Sequence, residues 1–130
     1  MPAYDSEKFA PPAPLARVEL RCPETGAALP DVPMLLDWGA DVTLIPQASA
    51  THIGASVLAG VGYELVGFDG TQSLAHAVQV DLRFLRRTFK GRFLLINQEW
   101  GIVGRDILNH LVLLLDGPGL TWSEFVGTQK

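Results

Sequence analysis

Residues 34–45 read MLLDWGADVTLI. An apolar run leads into Asp37, Gly39 permits a tight turn, and a second apolar, β-rich run follows from Val42. Asp and Gly occupy turns for reasons of backbone geometry alone, so Asp37-Trp38-Gly39 taken by itself indicates only a turn. The apolar flanks add that this turn joins two buried strands.

A second segment, residues 101–108, repeats this layout with the sequence GIVGRDIL. An apolar strand enters a turn at Gly104, and a short helix is predicted from Asp106 to His110. Two widely separated segments with one layout carry more information than either does alone.

Together the two segments resemble the retropepsin family, the retroviral-type aspartic proteases. In that family the first segment is Asp-Thr/Ser-Gly-Ala-Asp/Ser, and the second is apolar-apolar-Gly-Arg-Asp/Asn-apolar-Leu. The resemblance covers residues 15–116. It implies an all-β fold, a closed β-barrel with one or two short helices that is active as a homodimer. Trp38 is the departure, because the family carries Thr or Ser there.

The resemblance implies that Asp37 is the catalytic residue of an aspartic endopeptidase, with water as the nucleophile and no cofactor. This chemistry needs two carboxylates that share one proton. The chain has one such motif, since Asp31, Asp69 and Asp106 lie in other contexts. The sequence therefore predicts a homodimer in which the two copies of Asp37 meet on the two-fold axis.

Other site residues are implied by alignment to the two motifs. Gly39 is expected to present its backbone carbonyl to a bound peptide or protein substrate, and Asp41 is expected beside it. Arg105 is expected to support the turn through a bidentate ion pair with Asp41. The alternative for that pair is two unrelated surface charges.

A hairpin tip between two predicted strands, residues 63–68 and 73–84, would form the flap that closes over substrate. It would contribute further substrate-binding residues, and the alternative is an ordinary hairpin. The tip residues are Gly67, Phe68, Asp69 and Gly70.

Trp38 limits how far the family's activity carries over. The family's hydroxyl at this position hydrogen-bonds the partner's identical loop, whereas an indole donates one hydrogen bond and accepts none. Trp38 therefore fills a space that the usual members lack, spreads the two loops apart, or stacks with its counterpart across the two-fold axis. The sequence leaves all three outcomes open.

Alternating apolar residues predict the remaining strands. Residues 16–22 alternate as a half-buried strand, and residues 78–84 do the same. A turn is expected at Lys90-Gly91, with the basic residues around it on the solvated side of a hairpin. Residues 111–115, LVLLL, are predicted as a buried strand. A helical turn is predicted after Pro46.

Composition excludes several classes of protein. The chain has 130 residues, 48% of them hydrophobic, and a net charge of −4, which indicates one folded domain and no basic nucleic-acid surface. No apolar run is long enough for a membrane span. The lone Cys22 excludes an intrachain disulfide, and the three histidines lack metal-ligand spacing.

The ends of the chain differ in composition from its body. Residues 1–14 contain four prolines and are predicted to be a flexible leader on a soluble, cytoplasmic protein. Residues 117–130 are predicted to be a C-terminal tail that supplies a dimer-interface strand. Between them, residues 15–116 form the predicted protease domain.

Three interpretations follow. The first is a homodimeric retropepsin-like aspartic endopeptidase, with activity weakened by Trp38. The second is a catalytically inactive module of the same fold that dimerises or binds peptides. The third is an unrelated small β-barrel that carries the motif by chance.

Overall fold

The structure of this protein is a computed structural model. It describes the backbone of residues 2–66 and 72–126, and the side chains of these residues except 59–66 and 72–74. The strands and helices in this part of the chain are β1 Tyr4–Asp5, β2 Ala13–Arg21, β3 Ala28–Leu36, β4 Leu44–Pro46, α1 Gln47–His52, β5 Val57–Val66, β6 Gln72–Phe84, β7 Arg87–Ile96, β8 Gly101–Val103, α2 Arg105–Leu108, β9 Leu113–Asp116 and β10 Thr121–Glu124.

A closed barrel forms the body of the molecule. The strands pair in the order β2-β3-β8-β4-β7-β6, and β6 pairs again with β2, so the sheet closes on itself. Strand β5 adds to the outside of β6, and β1 adds to β2. The predicted all-β class, the closed barrel and the two short helices are confirmed.

The barrel interior is filled by the alternating strands that the sequence predicts. Val78, Val80 and Leu82 of β6 are fully buried, as is Leu20 of β2. Cys22 is also buried, in keeping with a small hydrophobic residue in the core. Because alternate residues of a strand point to opposite faces, the period-2 pattern identifies the core side of each strand correctly.

The hairpin between β6 and β7 corrects one predicted turn. The chain turns at Leu85-Arg86, and both residues have positive φ, 53° and 65°. These values are typical of the two-residue turns that match strand twist. Lys90-Gly91 lies inside β7, where Gly91 pairs with Val80. The prediction failed because this turn lacks the usual Asn or Gly.

The strand after α2 is more exposed than predicted. Within the described residues β9 pairs with β10 alone, and Leu114 and Leu115 of β9 are 56% and 41% exposed. The apolar run was interpreted as a buried strand, yet its hairpin is anchored mainly from the other strand. Trp122 of β10 is 2% exposed, and its Nε1–H donates to the Leu15 carbonyl at 3.0 Å.

The N-terminal segment, predicted to be flexible, makes specific contacts with the barrel. Strand β1 pairs with the start of β2. Further along, Lys8 lies 3.5 Å from a Glu99 carboxylate oxygen. Phe9 packs edge-on against Trp100, with ring centroids 5.0 Å apart. Within the described part of the chain, no helix has the length and apolar character needed to span a membrane.

Candidate active site

The two motif segments meet because their strands are neighbours. β3 and β8 run parallel, with Leu36 opposite Val103. Parallel strands end at the same edge of a sheet, so the residues that follow them emerge side by side. Asp37 follows β3, and Gly104 follows β8. A backbone bond from Asp37 N–H to the Val103 carbonyl, 3.0 Å long, joins the strands at this point.

The Asp37 carboxylate is held by its own turn. Its Oδ1 accepts a hydrogen bond from the Gly39 N–H at 2.9 Å, and the Ala40 N–H donates to the Asp37 carbonyl at 3.2 Å. A Cβ on residue 39 would lie 3.1 Å from that same Oδ1, which is close contact. Asp37 as a whole is half-buried.

Thr43 ties this turn to the second one. Its hydroxyl donates to Asp106 Oδ1 at 2.6 Å, and its N–H donates to Asp106 Oδ2 at 3.1 Å. The same hydroxyl oxygen accepts the Gly104 N–H at 3.0 Å. Thr43 is fully buried, so all three bonds lie away from bulk solvent. The two loops are therefore locked together through one side chain.

Arg105 supports the turn through backbone carbonyls. Its N–H donates to the Ala40 carbonyl at 2.9 Å, and its Nη1 donates to the Trp38 carbonyl at 2.5 Å. The expected ion pair with Asp41 is absent, since the ion pairs in the described residues are Lys8–Glu99 and Arg21–Glu19. Asp41 is solvent-exposed. The Arg105 guanidinium instead donates to the Trp38 carbonyl, a backbone partner that the sequence pattern does not reveal.

Glycine is required where the second loop crosses the first. A Cβ at Gly104 would overlap the backbone of Val42, and one at Gly101 would lie 2.5 Å from the Leu44 carbonyl oxygen. Both separations are impossible for a real side chain. The contact between the two loops is therefore backbone against backbone.

Trp38 projects its side chain partly into solvent in the single chain, with 38% of the residue exposed. Only its carbonyl takes part in the bonds between the two loops. The predicted flap residues Gly67, Phe68, Asp69 and Gly70 lie outside the described residues. The two arms beside them, β5 and β6, pair antiparallel from Val66 opposite Gln72.

Sequence reasoning did not assign a role to Thr43 or Asp106. A signal was present, because Thr43 is the polar residue in the apolar strand from Val42 to Ile45. A polar side chain in a buried strand needs a hydrogen-bond partner. Asp106 is that partner.

The described side chains contain no cluster of His, Cys, Asp and Glu suited to a metal ion. A cavity of about 370 Å³ lies between β1, the β6–β7 turn and Trp122. None of its lining residues belongs to the Asp37 or Gly104 loops. This cavity therefore lies apart from the two loops that carry the motif residues.

No protein-family model and no curated protein matches this chain. Among solved structures, 153 chains are similar to it. One is the EIAV protease complexed with the inhibitor HBY-793, which has 25% sequence identity and a TM-score of 0.56. That match covers 82% of this chain and 91% of the protease chain. The fold is retropepsin-like.

Proposed function

We propose that this protein is a homodimeric aspartic endopeptidase that hydrolyses peptide bonds through Asp37 of each copy and one activated water. The observation that carries the proposal is the setting of Asp37. Asp37 directly follows β3 in a retropepsin-like barrel, and its Oδ1 accepts a hydrogen bond from the Gly39 N–H. Thr43 connects its turn to the Gly104 loop by accepting a hydrogen bond from the Gly104 N–H.

The chemistry follows from two carboxyl groups that share one proton. The ionised carboxylate removes a proton from water as the water oxygen bonds to the peptide carbonyl carbon, and the protonated carboxyl gives its proton to the carbonyl oxygen. Collapse of this tetrahedral intermediate breaks the C–N bond, and the nitrogen leaves with a proton from the dyad. The products are a carboxylic acid and an amine, without a cofactor.

The second carboxyl group must come from a second copy. The chain has one Asp-x-Gly motif with apolar strands on both sides, and its other motif segment places Asp106 against Thr43. A carboxylate that accepts two hydrogen bonds from Thr43 is engaged in structure. Homodimerisation supplies the missing group with no further residue type.

The test is cleavage of an unstructured protein by the purified chain, with and without pepstatin. We expect pepstatin-sensitive cleavage that Asp37→Asn abolishes, because an amide cannot accept the proton of the attacking water. Asp31→Asn is the matched control, since Asp31 is exposed and its positive φ of 59° suits Asn equally well. Retained cleavage by Asp37→Asn would remove Asp37 from the mechanism, and Asp31→Asn is expected to cleave as the natural chain does.

The second candidate function is a non-catalytic dimerisation or peptide-binding module of the same fold. Trp38 favours it, because the loop beside Asp37 carries an indole where the family carries a hydroxyl. An indole cannot both donate and accept between two loops on a two-fold axis.

Trp38→Thr separates the two candidates. If the chain is an enzyme weakened by Trp38, we expect the substitution to raise the cleavage rate at protein concentrations that keep both forms dimeric. Trp38→Phe, which removes the indole nitrogen and adds no hydroxyl, is the control and should not raise it. A chain in which neither the natural protein nor Trp38→Thr cleaves, while both bind peptide, is the binding module.

A further inference from the structure

The cavity of about 370 Å³ beside Trp122, here called the side cavity, lies outside the two loops that carry the motif residues. Its volume falls in the range of roughly 300–1,000 Å³ that is typical of small-molecule sites. Its apolar walls come from four strands and one turn, and the wall residues are Tyr4, Leu15, Phe84, Leu85 and Trp122. The side cavity is therefore large enough for an organic ligand and apolar over most of its lining.

The walls of the side cavity are held in place by the packing of the core. Leu15, Phe84 and Trp122 are 7%, 2% and 2% exposed, and the ring centroids of Phe84 and Trp122 lie 5.9 Å apart. The Trp122 indole is also fixed by its Nε1–H, which donates to the Leu15 carbonyl at 3.0 Å. Because these side chains are held from several sides, the cavity is pre-formed, and a ligand does not have to order it.

One cationic side chain, that of Arg17, lines the side cavity. Arg17 lies two residues after Leu15 on β2, so the two side chains are on the same face of the strand. Neither of the ion pairs found among the described residues involves Arg17. A guanidinium binds a carboxylate through two parallel hydrogen bonds, and apolar walls beside it strengthen the attraction by excluding water.

The acidic residue of the side cavity, Asp5, lies at its other end. Asp5 pairs with Ala13, which is four residues before Arg17 on β2 and so about 13 Å from it along the strand. The Asp5 Oδ1 already accepts hydrogen bonds from the N–H groups of Glu7 and Lys8, at 2.9 and 2.7 Å. The cavity therefore has a cationic end, an apolar middle, and an acidic end whose charge is engaged by the backbone.

We propose that the side cavity binds a carboxylate carried on an apolar body of aromatic size, with the carboxylate at Arg17 and the body between Leu85 and Trp122. An uncharged apolar molecule leaves the guanidinium without an anion, and a small inorganic anion leaves the apolar walls uncovered. This site goes beyond the proposed protease and does not rest on it, because its lining includes no residue of the Asp37 or Gly104 loops.

The same ligand chemistry has two sources, a free aryl carboxylate and the carboxyl terminus of a peptide that ends in a large apolar residue. The probes are therefore 2-naphthoate with its uncharged counterpart 2-naphthamide, and the peptide Gly-Gly-Trp with its amidated form. Isothermal titration calorimetry measures the Kd of each. We expect at least one carboxylate to bind at least about tenfold more tightly than its amide. The carboxylate with the lower Kd identifies the source.

Two variants of the chain test the cation and the wall separately. Arg17→Gln removes the guanidinium, and Arg21→Gln is its control, because Arg21 is also exposed on β2 but does not line the cavity. Leu85→Asn removes apolar wall at a position with a φ of 53°, which Asn adopts readily, and Arg86→Asn is its control in the same turn, at 65°.

We expect Arg17→Gln to raise the Kd of the carboxylate at least about tenfold and to leave the Kd of the amide nearly unchanged, since the amide has no charge to lose. Leu85→Asn should weaken both probes, because both have the same apolar body. Arg21→Gln and Arg86→Asn should bind both probes as the natural chain does. In thermal melting, the bound carboxylate should raise the Tm of the natural chain more than that of Arg17→Gln.

Two results would overturn the site. One is that neither carboxylate probe binds the natural chain saturably at millimolar concentration. The other is that Arg17→Gln and Leu85→Asn both bind the carboxylate as tightly as the natural chain. Either result leaves the proposed protease intact, because cleavage depends on Asp37. Circular dichroism checks the fold, and if Arg17→Gln fails to fold, Leu85→Asn against Arg86→Asn gives the answer.

Discussion

Thr43 holds the candidate site together more directly than any residue in the recognised motifs. Among the described side chains it is the polar residue that is fully buried, and it bonds to both Gly104 and Asp106. A buried hydroxyl with two hydrogen bonds is stabilising only while both partners are present. Its removal leaves a buried N–H and a carboxylate oxygen without partners.

We expect Thr43→Val to lower the free energy of unfolding by about 2 kcal/mol. Val keeps the shape of Thr but leaves the Gly104 N–H and Asp106 Oδ1 without the hydrogen bonds that the hydroxyl makes. Urea denaturation measures this change. Thr43→Ser is the control, since it retains the hydroxyl and loses one methyl group, at a cost of about 1 kcal/mol. Equal losses in the two variants would mean that the hydroxyl bonds contribute little.

At the level of single residues, the sequence predicted which residues belong to the candidate site better than it predicted their hydrogen-bond partners. The role of Asp37 was implied by the resemblance of two segments to the retropepsin family, since its Gly turn alone indicates only a turn, and that role stays a prediction. The partner of Arg105 was not predicted, because the Trp38 carbonyl belongs to the backbone and leaves no signature in the sequence. Asp106 was set aside as a helix-start residue, although the Thr in a buried strand already called for a partner.

The strands β3 and β8 and their following loops act as one unit. Gly104 has φ −93° and ψ −175°, an extended conformation open to any residue, so glycine is needed there for space alone. The space is occupied by the backbone of Val42. Backbone atoms cannot rotate away as a side chain can.

Gly104→Ala should therefore separate the two loops and lower the free energy of unfolding by about 3 kcal/mol, at the upper end for overpacking. Gly117→Ala is the matched control, because a Cβ there meets nothing within 4 Å. It should change stability by less than about 0.5 kcal/mol, as exposed substitutions do. Thermal melting of both variants gives the comparison, and equal melting temperatures would show that the loops can move apart at no cost.

Secondary structure was predictable wherever periodicity reports burial. Strand β6 follows its pattern closely, because each apolar residue from Val78 to Phe84 faces the barrel interior. The Leu85-Arg86 turn was not predictable, since its two residues adopt positive φ without the side chains that favour it. The prediction that residues 111–115 form a buried strand was wrong in its burial for a different reason, because an apolar run does not show which part of the protein covers it.

Over the whole molecule, the alternating patterns predicted individual strands, whereas the closed barrel was implied by the resemblance of the two motif segments to the retropepsin family. The homodimer is a proposal that rests on counting carboxylates. The register of β9 and β10 could not be read from the sequence, and it decides which leucines of β9 face the side of Trp122. That residues 117–130 supply a dimer-interface strand stays a prediction.

The bridge between Ala3 and Thr121 has a consequence for chain connectivity. It brings the beginning and the end of the described chain side by side, so a short linker between them would close the polypeptide into a ring. The ring could be opened after Gly54, a position with open space around it between α1 and β5. In such a circular permutant the Gly104 loop would be synthesised before the Asp37 loop. Thr43 would then bond to the same residues, Gly104 and Asp106, although both would precede it in the sequence.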